Sequence, residues 1–267
     1  MPGAPPSVPA STLLMKSILL SSALYFGAAA TAGAVNVIFT LTGASTASVA
    51  GSSITVAGVG TAPGTQQTAG SLGPRAVSGT ITVDVDNVLA PTTLQFVSAT
   101  LNPADFGSNL QPAVGGTAGS AVAEFGLQFA LGPFGTEFVA WRNSVTSLSS
   151  SLITVTGGAY STTGITFTPI AGTVDYGTVA TGTGNLTSLT PSGNVANTVG
   201  NYGVSGNTAT LTLPGFDYTF ATSFNGTPGT IRFTGSLTGT ATVVPEPGAA
   251  VWAFAGLALL VKRRRRA

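Results

Sequence analysis

From residue 35 to residue 243 the chain alternates short apolar runs with polar positions at a period of two, and Gly, Pro, Asn and Ser punctuate the runs. The clearest example is Thr80-Ile81-Thr82-Val83-Asp84-Val85, where Ile and Val share one face of a strand and Thr and Asp the other. Near the other end, Ile231, Phe233 and Leu237 line a core face opposite Arg232, Thr234 and Thr238, with Gly235 and Ser236 blurring the register. The pattern predicts strands over 35–42, 53–59, 77–85, 94–101, 121–129 and 137–142. It predicts further strands over 148–156, 165–170, 173–179, 208–213, 218–223 and 230–243. Residues 182–206, dominated by Gly, Asn, Thr and Ser, are expected to form a long loop or a ragged edge hairpin. No stretch in this region holds a helical period. The expected fold class is therefore all-β, an antiparallel β-sandwich or jelly-roll-like domain. A Thr-rich β-solenoid is the alternative, disfavoured because no repeat of fixed period stands out.

Composition sharpens this picture. Charged residues are 6% of the 267, and hydrophobic ones 43%, enough for a core. That combination is the reverse of a disordered chain, which is rich in charge and poor in apolar residues. Five of the nine basic residues cluster at 262–266. Between residues 35 and 244, three arginines (Arg75, Arg142, Arg232) face seven acids, a net of −4. Such a domain has no electrostatic footprint for nucleic acid. Cysteine is absent, so stability comes from sheet pairing and packing rather than disulfides.

The two ends differ from the middle. Met15-Lys16 supplies a short positive region, 18–30 an apolar run, and Ala32-Gly33-Ala34 the small residues a signal peptidase reads. Residues 1–34 are thus expected to be a signal peptide region with a signal helix, translation starting at Met15 and the mature chain at Val35. At the other end, Pro245-Glu246-Pro247 precedes an apolar run over 248–261 and the cations Lys262, Arg263, Arg264, Arg265 and Arg266. The prolines end strand pairing and suit a helix start. The cations stop transfer and stay cytoplasmic, which leaves everything before Pro245 across the membrane. The apolar run would measure about 21 Å as a helix, short of a hydrocarbon core of about 30 Å. Snorkelling by the flanking cations narrows that gap.

Residues 244–267 together resemble the PEP-CTERM sorting domain of Gram-negative bacteria: the Pro-Glu-Pro motif, the apolar helix and the terminal Arg cluster, downstream of a signal peptide. The resemblance is confined to that segment. It implies that Pro245, Glu246 and Pro247 are recognised and processed by a membrane exosortase, with signal peptidase as the second processing partner. It also implies a chain held at the membrane by its C-terminal helix before processing. Its destination would then be the cell surface or an extracellular matrix, in the company of exopolysaccharide and biofilm.

The domain offers little chemistry. Without His or Cys, Ser–His and Cys–His nucleophiles and the usual zinc sites cannot be built. Asp84 and Asp86 lie on one face of a predicted strand and are read foremost as a solvated strand edge. A calcium site with Asn87 and a carboxylate pair for glycoside cleavage are the weaker readings. Glu124, Glu137, Asp105, Asp175 and Asp217 are isolated in sequence. Trp141, Tyr160, Tyr176, Tyr202 and Tyr218 are read as packing residues before they are read as sugar-stacking ones. Asn185-Leu186-Thr187 and Asn225-Gly226-Thr227 match the glycosylation pattern, which carries little weight in a bacterium. The chain is expected to be a cell-surface or matrix structural protein rather than an enzyme, and to need no cofactor. A carbohydrate-binding module is the alternative, and a secreted two-carboxylate hydrolase the remote one.

Overall fold

The computed structural model describes residues 34–107, 109–112, 122–178, 181–224 and 226–243. The expected helices at 18–30 and 248–261 lie outside them. Among the described residues no helix is long and apolar enough to cross a membrane.

The described chain is all-β. It runs β1 (Val35–Leu41), β2 (Thr46–Ser48), β3 (Ser53–Val56), β4 (Gly60–Gln66), β5 (Arg75–Val85), β6 (Thr93–Pro103), β7 (Phe125–Ala130) and β8 (Thr136–Ser150). Then follow β9 (Ile153–Thr156), β10 (Ala159–Ser161), β11 (Ile165–Gly177), β12 (Gly182–Asn185), β13 (Ser192–Gly193), β14 (Val199–Ser205), β15 (Thr208–Phe224) and β16 (Thr227–Thr242). Every pairing between these strands is antiparallel. The hydrogen-bonded path β1-β5-β6-β9-β10-β14-β15-β16 closes on itself, because β16 also pairs β1. A second path, β16-β3-β4-β7-β8, rejoins β6.

The two-residue period decides which side chains go inside. On β5, Val77, Ile81, Val83 and Val85 are buried while Thr80, Thr82 and Asp84 are half-exposed. On β16, Ile231, Phe233 and Leu237 are buried, as the alternation predicts. Gly235 keeps the same phase but has no side chain. A Cβ there would sit 2.0 Å from the carbonyl oxygen of Thr46 on β2, an approach only glycine allows.

The core is largely aromatic, and several of its contacts join strands that are not ladder neighbours. Trp141 of β8 stacks on Phe233 of β16 at 5.1 Å, and Phe125 of β7 meets both edge-on. Phe167 of β11 stacks on Tyr218 of β15 at 3.8 Å, and Phe39 of β1 meets Tyr202 of β14 edge-on. Full burial of such a ring contributes about 2–3 kcal/mol, and a well-placed aromatic pair about 1 kcal/mol more.

The predicted strand list needs correcting in two ways. Pairs of expected strands are fused: 137–142 with 148–156 in part, 165–170 with 173–179, and 208–213 with 218–223. At Asn143, Pro169 to Gly172 and Pro214-Gly215 the residues that read as turn signals are β-bulges, where the strand bends but keeps pairing. Six strands also went unseen, namely β2, β4, β10, β12, β13 and β14. β4 (GTAPGTQ) hides because its Pro63 and Gly64 imitate a turn. The stretch expected as a long loop or a ragged edge hairpin holds β12 at an edge, a 3-10 turn at Leu186–Ser188 capped by Asn185, and β14 paired with β10 and β15.

The register also fixes where the chain enters and leaves the domain. Thr40 of β1 lies opposite Thr240 of β16, so Val35 and Val243 run to the same end of two adjacent strands. The turns at residues 86–92, 157–158 and 206–207 lie at this end, with the Val243 N–H bonded to the Asn207 carbonyl. The hairpin turn between Phe224 and Thr227 lies at the opposite end.

Candidate functional site

Three places are candidates: the turn after β5, a buried charged network where β8 bends, and a mostly apolar mouth at the far end.

The turn between β5 and β6 contains one of the two carboxylates considered for calcium. The Asp86 Oδ1 accepts from the Thr92 N–H at 2.9 Å and the Thr93 N–H at 3.1 Å, and its Oδ2 accepts from the Thr92 hydroxyl. Partial desolvation opposes ionisation, but these donors outweigh it, and the carboxyl is held below its usual range. Asn87 Oδ1 accepts from the N–H groups of Leu89 and Ala90. Both side chains therefore do the work of an Asx turn. Asp84 is half-buried on the strand before it, opposite Asn36 and Gln95. Among the described residues no three acidic groups gather at a metal-sized site.

The second place had no local sequence signal. Arg142 and Asp175 occupy neighbouring strands β8 and β11, both buried, with Arg142 Nε donating to Asp175 Oδ2 at 2.7 Å. The Thr183 hydroxyl on β12 donates to Asp175 Oδ1 at 2.7 Å, and Arg142 Nη2 donates to the Pro112 carbonyl at 2.7 Å. Gln67 grips the same crossing segment, since its Oε1 accepts from the Gln111 N–H at 2.7 Å. Its Nε2 lies within bonding distance of the carbonyls of Gln111, Leu127 and Val139. Leu110, fully buried, fills the space above Gly126. The charges are thus tolerated because they pair and take up otherwise bare carbonyls.

Beside them the ladder bends. Asn143 adopts a left-handed φ of 53°, and Gly172 opposite has φ +108°. A Cβ on Gly172 would lie 2.7 Å from the Ser144 Cα, so this bend requires glycine. The bend aims the Ser144 N–H at Glu124 Oε1, 3.2 Å away. Glu124 is 4% exposed, and its Oε2 accepts no hydrogen bond. Burial, aided by the charge of Asp105, pushes its carboxyl up to about 7 against the opposing N–H groups. Glu124 feels the charge of exposed Asp105, the kind of coupling an acid–base pair uses. Glu124, however, is sealed in the protein rather than facing a cleft.

The third place is a mouth of about 110 Å³ lined by Ile54, Val56, Leu131, Phe134, Glu137, Phe224 and Thr227. Phe134 at its rim is 55% exposed.

The remaining predicted residues are quickly placed. Trp141, Tyr160, Tyr202 and Tyr218 are buried in the core, and half-buried Tyr176 meets Phe224 edge-on. Burial pushes the phenols of Tyr160 and Tyr218 strongly up. Asp217 pairs with Arg232 across the β15–β16 ladder, Nε to Oδ1 at 2.8 Å. Ala34 is exposed and directly precedes β1. Ala32, Pro245, Glu246, Pro247 and Lys262 to Arg266 lie outside the described residues. No family model, curated protein or solved structure matches the chain significantly.

Proposed function

We propose that the chain is an exported surface or matrix protein whose β domain is a structural module delivered by two address segments. One is a signal peptide ending at Ala34, the other a PEP-CTERM tail beginning at Val244. The observation that carries this reading is the exit geometry. Val35 and Val243 leave on adjacent strands at one end of the domain, so segments joined to them can engage the same membrane while the domain extends away from it. Cleavage after Ala34 would leave the first residue of β1 as the new N-terminus, paired with Val85.

The surface chemistry points the same way. A transverse row of threonines, Thr100, Thr80, Thr40, Thr240 and Thr210, crosses five adjacent strands on the outer face. Neutral hydroxyls solvate this face without charge, which suits a packing role among uncharged polymers better than steering of an ionic substrate. The facing of β7, β8 and β11 across an aromatic core toward β15 and β16 supports a sandwich or jelly-roll architecture.

Intact mass and terminal peptide mapping of protein from the native envelope test the reading. A mature chain starting at Val35 and ending near Pro245 is expected, with signal peptidase and an exosortase as the processing partners. A cytoplasmic chain retaining both ends would overturn it.

A further inference from the structure

The turn at residues 86–92 stands at the end where the chain leaves the domain, and it differs from the glycine turns beside it at 157–158 and 206–207. Its polar groups are spent inward. Asp86 takes up the N–H groups of Thr92 and Thr93, and Asn87 those of Leu89 and Ala90. The Val88 carbonyl accepts from the Tyr202 hydroxyl at 2.8 Å. Between exposed Asn87 and Thr92 the tip offers hydrocarbon outward: Val88 half-buried, Leu89 47% exposed, Ala90 exposed.

Chain length then limits what can lie in front of it. Residues 243–247 connect the end of β16 to the apolar run that starts at Gly248, and five residues reach at most about 18 Å when fully extended. With the tail in a membrane, this end of the domain cannot stand far from the lipid surface. We infer that the 88–90 tip rests in the headgroup region of the bilayer beside the chain's own tail. This inference rests on the membrane reading of the tail given above.

A lipid surface is the occupant that the chemistry favours. The N–H groups of Leu89 and Ala90 and the Val88 carbonyl are bonded within the protein, which lowers the cost of leaving water. The one ionised group of the turn, Asp86, is turned toward its own N–H donors and so opposes an anionic surface less than a free carboxylate would. A single exposed leucine is a weak ligand in free solution. Tethering makes its contact intramolecular, at an effective concentration on the order of millimolar.

The chain has no cysteine, so one introduced thiol is a unique labelling site. The full chain, labelled with a fluorophore at Leu89→Cys or at Phe134→Cys, is reconstituted into phosphatidylethanolamine–phosphatidylglycerol vesicles carrying headgroup nitroxide. Phe134, 55% exposed at the far end, is the control. Quenching several-fold stronger at position 89 than at 134 is expected. Equally weak quenching at both sites in a chain that floats with the vesicles overturns the inference and leaves the tail anchor standing. A chain that does not float overturns both. Ala90→Cys repeats the measurement should Leu89→Cys fail to fold.

Discussion

Asp86 and Glu124 are the same chemical group in two regions of one sheet, and they are driven in opposite directions. Asp86 sits at a turn near the surface, where three donors converge on it and hold its carboxyl below the usual range. Glu124 sits buried at a bend, where burial outweighs the nearby N–H groups, that of Ser144 among them, and raises it to about 7. The difference is donor supply. A turn has spare N–H groups because its backbone has left the ladder, whereas N–H groups inside a sheet are already committed to neighbouring strands. Asp86 therefore organises backbone that would otherwise be loose, and Glu124 is held in place by packing that it does not itself supply.

The comparison breaks most sharply at the charges next to Glu124. Arg142→Met leaves Asp175 buried with the Thr183 hydroxyl but without its cation, and should cost about 3–5 kcal/mol in urea denaturation at neutral pH. A loss under 1 kcal/mol would show that the network is not closed. Glu124 comes next. Its folded value lies above its unfolded one, so the folded state keeps a proton that the unfolded state releases. Its contribution is whole below about pH 4.5 and is lost as pH rises to about 7, at most about 3 kcal/mol. Stability measured across that window should fall with pH, and Glu124→Gln should flatten the slope. An unchanged slope in the variant would assign it elsewhere.

Asp86 has the opposite sign. Its folded value is depressed, so its contribution is present above the ordinary carboxylate range and is lost as pH falls through the folded value. Asp86→Ala should cost about 1–3 kcal/mol at neutral pH and less once the carboxyl is protonated, when it still accepts hydrogen bonds but carries no charge. Hydrogen exchange at the Thr92 and Thr93 amides checks this, since both should lose protection. The smallest effect is expected from Thr240→Ala on the outer row, within about 0.5 kcal/mol in thermal melting. A larger cost would mean that the threonine row is part of the fold rather than a dressing on it.

How much of this was legible beforehand varies residue by residue. Val77, Ile81, Val83, Ile231, Phe233 and Leu237 announce their faces because alternation is a local property of each strand. The same alternation places Asp86 with Asp84 on a solvated strand face, with calcium as a weaker reading, and its turn role appears only once its donors, the N–H groups of Thr92 and Thr93, are seen. Arg142, Asp175 and Glu124 had no local signal. Their partners lie tens of residues away, at Asp175, Pro112 and Ser144, and nothing in the neighbouring sequence says that they are buried. Asn143 and Gly172 were read as punctuation, because a bulge and a turn use the same residues.

The sequence by itself determined the all-β class, the faces of the strands, the absence of Ser–His and Cys–His nucleophiles and of disulfides, and the distinct character of the two ends. These follow from residue type and short-range period, which need no folded partner. Only the tertiary structure decided that strands run through their bulges and that aromatics from distant strands share one core. It alone decided that Glu124 loses its water, and that residues 35 and 243 leave side by side. Each of those depends on which distant strand becomes a neighbour, and pairing across a hundred residues or more is a property of the closed sheet rather than of any segment in it.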